Sequence, residues 1–352
     1  MPDLSIVTIT KDSENTIEDL VRHALTIGDE HVVVDTGSTD QTVDRARRAG
    51  ARVISYTGEF DFSSARNFGT QNTRYGWVLH LDTDEKIDAQ SQPRIRQLIA
   101  GPFSMYKLLQ CSRRPARFQL SYQDRLFRKG EHEFNGRVYE CLWPQRDYSI
   151  APLVLSHYKD PTLDNKKIEE RYPLARREVD ELREKMPLTK REAAYQLFRF
   201  AHLYGLFSAT HNEDESERAI YEVLARVEQF PENDAIFNLQ RIKALRLVDP
   251  THLIIPEIAS LTGISGADWC LLGQYFNFTS SQLAKEFHGR ALTAEDNPIY
   301  RFHYASALAQ LGEREEARRQ FLLAREAFPD YPLVEGLELL YFTPLGKALA
   351  SI

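Results

Sequence analysis

Cysteine is scarce in this chain: three residues, Cys111, Cys141 and Cys270, in 352. An odd and widely spaced set argues against a disulfide framework and against a cysteine-rich zinc centre, and it fits a reducing compartment. Long hydrophobic runs are also missing, since no segment approaches the ~18 apolar residues needed to span a bilayer. The opening MPDLSIVTITKD has too short an apolar run for a signal peptide and carries Asp3, so a cytoplasmic location without a transmembrane segment is expected. There is no excess of positive charge either. Lys and Arg number 44 against 51 Asp and Glu, a net charge of −7, so no nucleic-acid partner is called for. The local cluster Arg113, Arg114 and Arg117 reads as a solvated loop.

What remains is ordinary globular composition, 42% hydrophobic and 27% charged, enough for about two domains with cores of their own. The rhythm changes near residue 160. Before it, short β-rich runs alternate with helical patterns. Leu4–Thr10 is a strand candidate, followed by Ile17, Leu20, Val21, Ala24 and Leu25 at helical spacing. His31–Val34, Val53–Tyr56 and Trp77–Leu81 are further strand candidates. Ser38 three residues before Gln41 predicts a capping box for a helix running to about Gly50, and a helix is expected from Pro93 to Gly101. Strand–helix repeats of this kind imply a mostly parallel sheet covered by helices, with ligands beyond the carboxyl ends of the strands. The polar clusters Thr10–Asn15, Asp35–Asp40 and Asp82–Glu85 fall at those ends.

After residue 160 the pattern is helical throughout. Ala305, Gly312, Ala317, Phe321, Ala324 and Pro329 match the small, aromatic and proline positions of a tetratricopeptide repeat. Ala284, Phe287, Ala291 and Pro298 form a looser copy, with Trp269 and Gly273 on its first helix, and Ala219 with Pro231 a third trace. A generic helical bundle is the alternative. Either form is expected to serve docking or oligomerisation, with a homodimer among the options. The expected division is 1–160 catalytic, 161–190 a linker helix, and 191–352 helical repeats.

Three motifs carry chemistry. Asp82-Thr83-Asp84 presents two carboxylates after an apolar strand, and alternate residues there project to one side. Hard oxygen ligands of this kind suit a divalent cation such as Mn²⁺ or Mg²⁺, although an isolated acidic triplet is more often a solvated turn with Asp84 or Glu85 capping a helix. Asp35-Thr36-Gly37-Ser38-Thr39-Asp40 leads from a strand into a helix; Gly37 permits a sharp turn, and Asp35 and Asp40 are left asking for a role. Ala65-Arg66-Asn67 places a guanidinium fork in the same half, suited to diphosphate oxygens or to an ion pair with Asp82 or Asp35.

VVVDTGSTDQT followed by DFSSARNFGTQNTRYGWVLHLDTDE resembles the family 2 glycosyltransferases of the GT-A fold. The resemblance is nearest to a bacterial subgroup that includes lipopolysaccharide-core glucosyltransferases and peptide S-glycosyltransferases, the latter also carrying tetratricopeptide-like helices. It spans roughly residues 3–160, and the repeat match extends it toward residue 335. The resemblance implies a Rossmann-like α/β GT-A domain followed by an all-α domain. It also implies inverting, metal-dependent transfer from a nucleotide-sugar donor, usually a UDP-sugar, and leaves the acceptor open among a peptide, a protein, a lipid-linked glycan and a small molecule. Carried over, Ile9 and Thr10 would line the nucleoside pocket, Asp35 would contact the base and Arg66 would face the donor; Thr36 at the base edge, Asp82 at the ribose and Thr83 beside it are further donor-binding candidates. Asp84, with Asp82 and a late His157, would hold the metal. Arg125-Leu126-Phe127-Arg128 and Phe134-Asn135-Gly136-Arg137-Val138-Tyr139-Glu140 resemble two later segments, with Tyr139 replacing the more usual histidine. Glu140 is the first candidate for general base and Asp124 the rival. His80 reads as a packed core residue; Trp143 is open to a core or lid role or to stacking on a sugar.

Two other readings share these residues. A catalytically idle domain acting as a repeat scaffold would not need Asp35, Asp82 and Asp84 together. A sugar-phosphate nucleotidyltransferase would need a glycine-rich phosphate loop, and Leu4–Asn15 contains no glycine.

Overall fold

The computed structural model describes residues 3–88, 91–114, 117–138, 140–157, 164–185, 187, 189–209, 213–227, 235–248, 261, 263–277, 280–329 and 331. Its first part alternates strands and helices: β1 (Leu4–Thr10), α1 (Ile17–Ile27), β2 (Glu30–Asp35), α2 (Thr42–Arg48), β3 (Arg52–Ser55), α3 (Phe62–Gln71), β4 (Trp77–His80), β5 (Glu85–Ile87) and α4 (Gln92–Ile99). There follow β6 (Met105–Arg114), β7 (Arg117–Arg128), β8 (Glu133–Asn135), β9 (Cys141–Trp143) and β10 (Tyr148–His157). Eight strands form one sheet in the order β3-β2-β1-β4-β7-β6-β10-β5, while β8 and β9 pair as a separate hairpin. The first four neighbours are parallel; β7 runs against both β4 and β6, β10 parallel to β6, and β5 against β10. The sheet is mixed but mostly parallel, with the Rossmann-like half first.

The parallel strands are buried on both faces, which is why they read as unbroken apolar runs rather than alternations. Ile6, Val33, Leu79 and Leu126 turn to one face, where α1 packs Leu20, Val21 and Ala24 and α4 packs Ile95 and Ile99. Each such side chain removed from water contributes about 1.5–3 kcal/mol. Helix α2 begins later than the expected capping box. Ser38 donates its N–H to Asp35 and accepts from the Asp12 N–H, so its side chain is spent on the β1–α1 turn. Asp40 accepts the Thr42 N–H instead (2.9 Å) and sets the helix start.

The opposite face of the sheet is covered from the far end of the chain. Val7, Val34, Val78, Met105, Leu109 and Phe127 belong to one continuous apolar cluster with Trp269, Phe287, Tyr300, Phe302 and Phe321. The last four described helices supply the latter: α9 (Gly266–Phe276), α10 (Ser281–Ala294), α11 (Pro298–Gln310) and α12 (Arg314–Ala327). The repeat positions Ala284, Phe287, Ala291, Ala305, Ala317, Phe321 and Ala324 are all buried in helical hairpins, and Gly312 turns α11 into α12 at φ +79°. Ala219 is buried on α7 (Glu213–Val227), whereas Pro231 lies outside the described residues. Polar ties cross the same junction. The Tyr148 hydroxyl donates to Asp268, Ser149 Oγ donates to Glu295 (2.6 Å), and Asn297 Nδ2 donates to the Ile150 carbonyl (2.8 Å).

Between the two parts lie α5 (Asp164–Glu184), α6 (Lys190–Ala209) and α8 (Ala235–Val248), which with α7 form a third apolar cluster. It takes in Val138 from the β8–β9 connection, with Phe62 and Trp143 packed against it. No helix among the described residues is long and apolar enough to cross a membrane. Cys111, Cys141 and Cys270 form no disulfide among the described residues.

Candidate active site

The register of the parallel strands gathers the polar clusters at one edge. Asp35 stands directly beside Thr10, and the Leu81 N–H bonds the Val7 carbonyl (3.0 Å), so Asp82 emerges beside the end of β1. Two strand spacings, about 10 Å, separate Asp35 from Asp82. Asp35 is buried and accepts from the N–H groups of Gly37 (3.3 Å) and Ser38 (3.2 Å). Gly37 makes this turn at φ +101°, a region costly to residues with a Cβ. Thr36 Oγ1 donates to the Thr10 carbonyl (3.1 Å). Thr10 Oγ1 is buried without a hydrogen-bond partner among the described residues, and Ile9 packs partly buried beside it against the same cluster as Tyr56 and Phe68.

Asp82 is the centre of a charged knot. Its Oδ1 accepts from Arg66 Nη2 and its Oδ2 from Arg125 Nη2, both at 2.7 Å. Arg125 also donates to Glu85 Oε1 (2.9 Å), which Gln110 Nε2 holds at 2.6 Å, and Glu85 Oε2 accepts the Asp82 N–H (2.9 Å). Burial by itself pushes the Asp82 carboxyl up, but Arg125 and Arg66 outweigh it and hold the group well below the usual carboxylate range. Glu85 goes the other way: it is 1% exposed, and burial raises its carboxyl despite Arg125. Glu85 therefore opens β5 as an internal acid and caps no helix. His80 lies beneath, fully buried, with Nε2 2.9 Å from Thr70 Oγ1 and its ring stacked on Phe127. Burial, then Arg66 and Arg125, push its imidazole well below the ordinary value, so it packs neutral.

With both oxygens on guanidinium groups, Asp82 is drawn away from the metal-ligand role expected of it. Asp84 is placed differently. Its Oδ2 lies 3.2 Å from His157 Nε2, the far ring nitrogen lies 2.9 Å from Ser112 Oγ, and both side chains remain partly exposed. Burial lowers the His157 pKa, but the bond to Asp84 and the carboxylates of Asp84, Glu85 and Asp82 carry it above the ordinary value. Antiparallel pairing of β5 with β10 sets His157 opposite Glu85 and so brings the late histidine to the acidic motif. The described residues hold no preformed cluster of three His, Cys, Asp or Glu. The Asp84–His157 pair, an oxygen donor beside an imidazole at an open edge, nevertheless fits a divalent cation whose remaining ligands come from phosphate and water. Thr83 lies between the two acids, half-buried.

The candidate bases separate clearly. Glu140 Oε1 accepts from Arg66 Nε (2.7 Å), so Arg66 bridges Glu140 and Asp82, and its guanidinium lies 5.4 Å from the centre of the Phe134 ring. The neighbouring Asn67 completes the Ala65-Arg66-Asn67 motif by exchanging two bonds with Phe134, at 2.7 and 2.8 Å, which pins β8 to α3. Asp124 has another duty. It pairs with Lys107 and accepts from the Leu142 N–H (3.0 Å) and Gln145 Nε2 (2.8 Å). One oxygen is taken by Lys107 of β6 and the other ties β9 and its following loop to the sheet, an arrangement that suits a structural acid.

The segment that carries Glu140 is held from below by the helical region. Arg199 of α6, fully buried, donates Nη2 to the Val138 carbonyl (2.8 Å) and Nε to Glu178 of α5 (2.7 Å). Glu178 Oε2 accepts the Arg137 N–H (2.7 Å). Gly136 sits at φ +103° directly over this guanidinium; a Cβ there would fall 2.1 Å from Arg199 Nη2. Tyr139 and Tyr158 lie outside the described residues, as do the side chains of Arg113, Arg114 and Arg117.

Sequence reasoning assigned no role to Arg125, Gln110, Arg199 or Glu178. Arg125 had a signal, its place in the Arg125–Arg128 motif. Arg199 had none, being 59 residues beyond Glu140 in a charged helical stretch.

Residues 5–137 match the family described as Glycosyl transferase family 2. An uncharacterized glycosyltransferase of Rickettsia typhi is 33% identical over 106 residues, 29% of this chain and 34% of that protein. A TPR repeat-containing protein of Synechococcus elongatus is 29% identical over 129 residues, 36% of this chain and 32% of its own length. The chain thus spans about a third of the length of these relatives. Among solved structures, glucosyl-3-phosphoglycerate synthase of Mycobacterium tuberculosis, with Mg²⁺ and uridine diphosphate, aligns at 25% identity and a TM-score of 0.27, covering 31% of this chain and 44% of that one. Residues 5–137 of this chain are thus similar to a glycosyltransferase family 2 domain.

Proposed function

We propose that the protein is an inverting, divalent-cation-dependent glycosyltransferase using a nucleoside diphosphate sugar, with UDP-sugars the first choice. The observation that carries the reading is the bridge Glu140–Arg66–Asp82 beside the Asp84–His157 pair at the carboxyl edge of parallel strands. Thr10, whose buried hydroxyl has no hydrogen-bond partner among the described residues, would form the nucleoside site together with Ile9, Asp35 and Thr36. Asp84 and His157 would hold Mn²⁺ or Mg²⁺, which supplies charge neutralisation of the diphosphate when bound.

The chain's own residues account for the remainder. Asp82, anchored by two arginines, faces the donor with fixed geometry, and Thr83 lies beside it. Arg66 and Arg125 keep positive charge next to the departing diphosphate, an arrangement that stabilises charge without reorganisation. Glu140 takes the proton from the acceptor nucleophile as that atom attacks the anomeric carbon. The bond from this carbon to the diphosphate oxygen breaks, and the nucleoside diphosphate leaves with the electron pair. One carboxylate and one displacement invert the configuration.

Incubation with UDP-glucose and Mn²⁺ should release UDP, and chelation should stop the release. Asp84→Asn is expected to lower the rate at least 100-fold while leaving the thermal melt unchanged. Full activity in that variant would sink the metal-pair assignment. Release from none of a panel of UDP-, GDP- and dTDP-sugars would favour an idle domain serving as a helical scaffold.

A further inference from the structure

A cavity of about 530 Å³ is lined by residues of the β8–β9 hairpin and of the α5–α6 pair with its connection. Its volume lies within the ~300–1,000 Å³ of small-molecule sites. Trp143 and Tyr195 form an aromatic wall, their ring centroids 5.2 Å apart at 61°, and Trp143 is backed by Phe198 at 5.5 Å. Asn135 and Gln196 add amides to the lining. The Gln196 amide is fixed by bonds from Nε2 to the carbonyls of Leu182 and Lys185. Lys185 and Arg191 stand at the rim, and neither makes an ion pair with a described residue; Glu192 is the acid there, so two cations face one carboxylate. Arg191 and Glu192, in the first turn of the 20-residue helix α6, line the same space, and a helix N-terminus favours an anion.

Position gives this cavity its meaning. Trp143 follows Glu140 by three residues, so the two Cα atoms are at most about 11 Å apart. Aromatic faces with amides recognise a sugar ring, and paired cations at a helix N-terminus recognise a phosphate. We propose that this cavity holds a phosphorylated sugar as the acceptor, its ring against Trp143 and its phosphate between Lys185 and Arg191. The inference rests on the transferase reading and adds the acceptor class to it. Trp143 then serves both as the wall of the cavity and as the end of the strand that begins just after Glu140.

The test is calorimetric titration of the full chain with glucose 6-phosphate, with glucose and inorganic phosphate as separate arms. Glucose 6-phosphate is expected to bind at least tenfold more tightly than either. Lys185→Ala combined with Arg191→Ala should weaken it at least tenfold, and Trp143→Phe, which keeps a ring in the wall, severalfold. Absence of binding, or equal affinity in the native chain and the double variant, overturns the proposal. So does phosphate binding as tightly as glucose 6-phosphate with no effect of Trp143→Phe, which would mark a bare anion site. The two readings fail separately. UDP release from UDP-glucose without glucose 6-phosphate binding overturns the cavity alone; binding without any UDP release overturns the transferase reading and leaves the cavity as a sugar-phosphate site.

Discussion

Buried charge is handled in opposite ways at the sheet edge and at the junction with the helices. At the edge, Asp82 faces two arginines and Asp84 faces His157, and both acids remain partly exposed at the open end of the strands. Beneath β9, Asp124, and at the junction, Glu178 and Arg199, are closed in by backbone and side-chain partners. An acid with its bonding capacity filled by its own chain is architecture. An acid that stays partly exposed while guanidinium groups hold it is able to share their charge with a ligand. This difference, not residue type, separates Glu140 from Asp124.

Breaking the junction should cost most. Arg199→Met leaves Glu178 and the Val138 carbonyl buried without their donor and is expected to destabilise by about 3–5 kcal/mol. Because Arg199 also sets the loop carrying Glu140, kcat for UDP release should fall at least tenfold in the fraction that folds, with KM for the donor little changed. A loss confined to KM would detach the helices from catalysis. Asp124→Asn comes next, at about 2–3 kcal/mol from weakened bonds to Lys107, Leu142 and Gln145. Urea unfolding should register that loss while the pH–rate profile keeps its shape. A collapsed rate with unchanged stability would return Asp124 to the candidate bases.

Acid should sharpen the contrast further. Burial holds His31, in β2, down to about 3 and His303, in α11, down to about 4. Both pKa values are depressed, so the unfolded chain binds more protons below its own value near 6.5. Their stabilising contribution is whole above that pH and is lost as pH falls toward 4 and then 3. The urea midpoint at pH 5 should lie below that at pH 7.5, and His303→Gln should flatten the slope. Smallest is Tyr122→Phe, which removes one hydroxyl 3.0 Å from His303 Nε2 across the sheet–helix boundary. About 1 kcal/mol is expected, measured by the same unfolding curves.

Much of the first half was legible. Strands β1 to β4 followed from apolar runs, and the clusters at Asp35 and Asp82 from the rule that ligands gather at carboxyl ends. The approach of Asp84 to His157 was inferred only through family resemblance, and its geometry comes from β5 pairing with the end of β10. Helix α2 was placed too early because Ser38 had a competing partner in Asp12, 26 residues away. The helical half was legible as hairpins but not as a lid on the sheet. Small and aromatic repeat positions look the same whether they bury against a sister repeat or against Phe127 and Met105.

Local patterns by themselves determined the strands, the helical hairpins and the identity of the acidic clusters, because period and turn chemistry act over a few residues. Tertiary structure decided which carboxylates are free to act. Arg125, Arg66 and Arg199 reach their acids from 43, 16 and 21 residues away. Charge pairing at such separations depends on where the chain closes, and no short window of sequence carries that information.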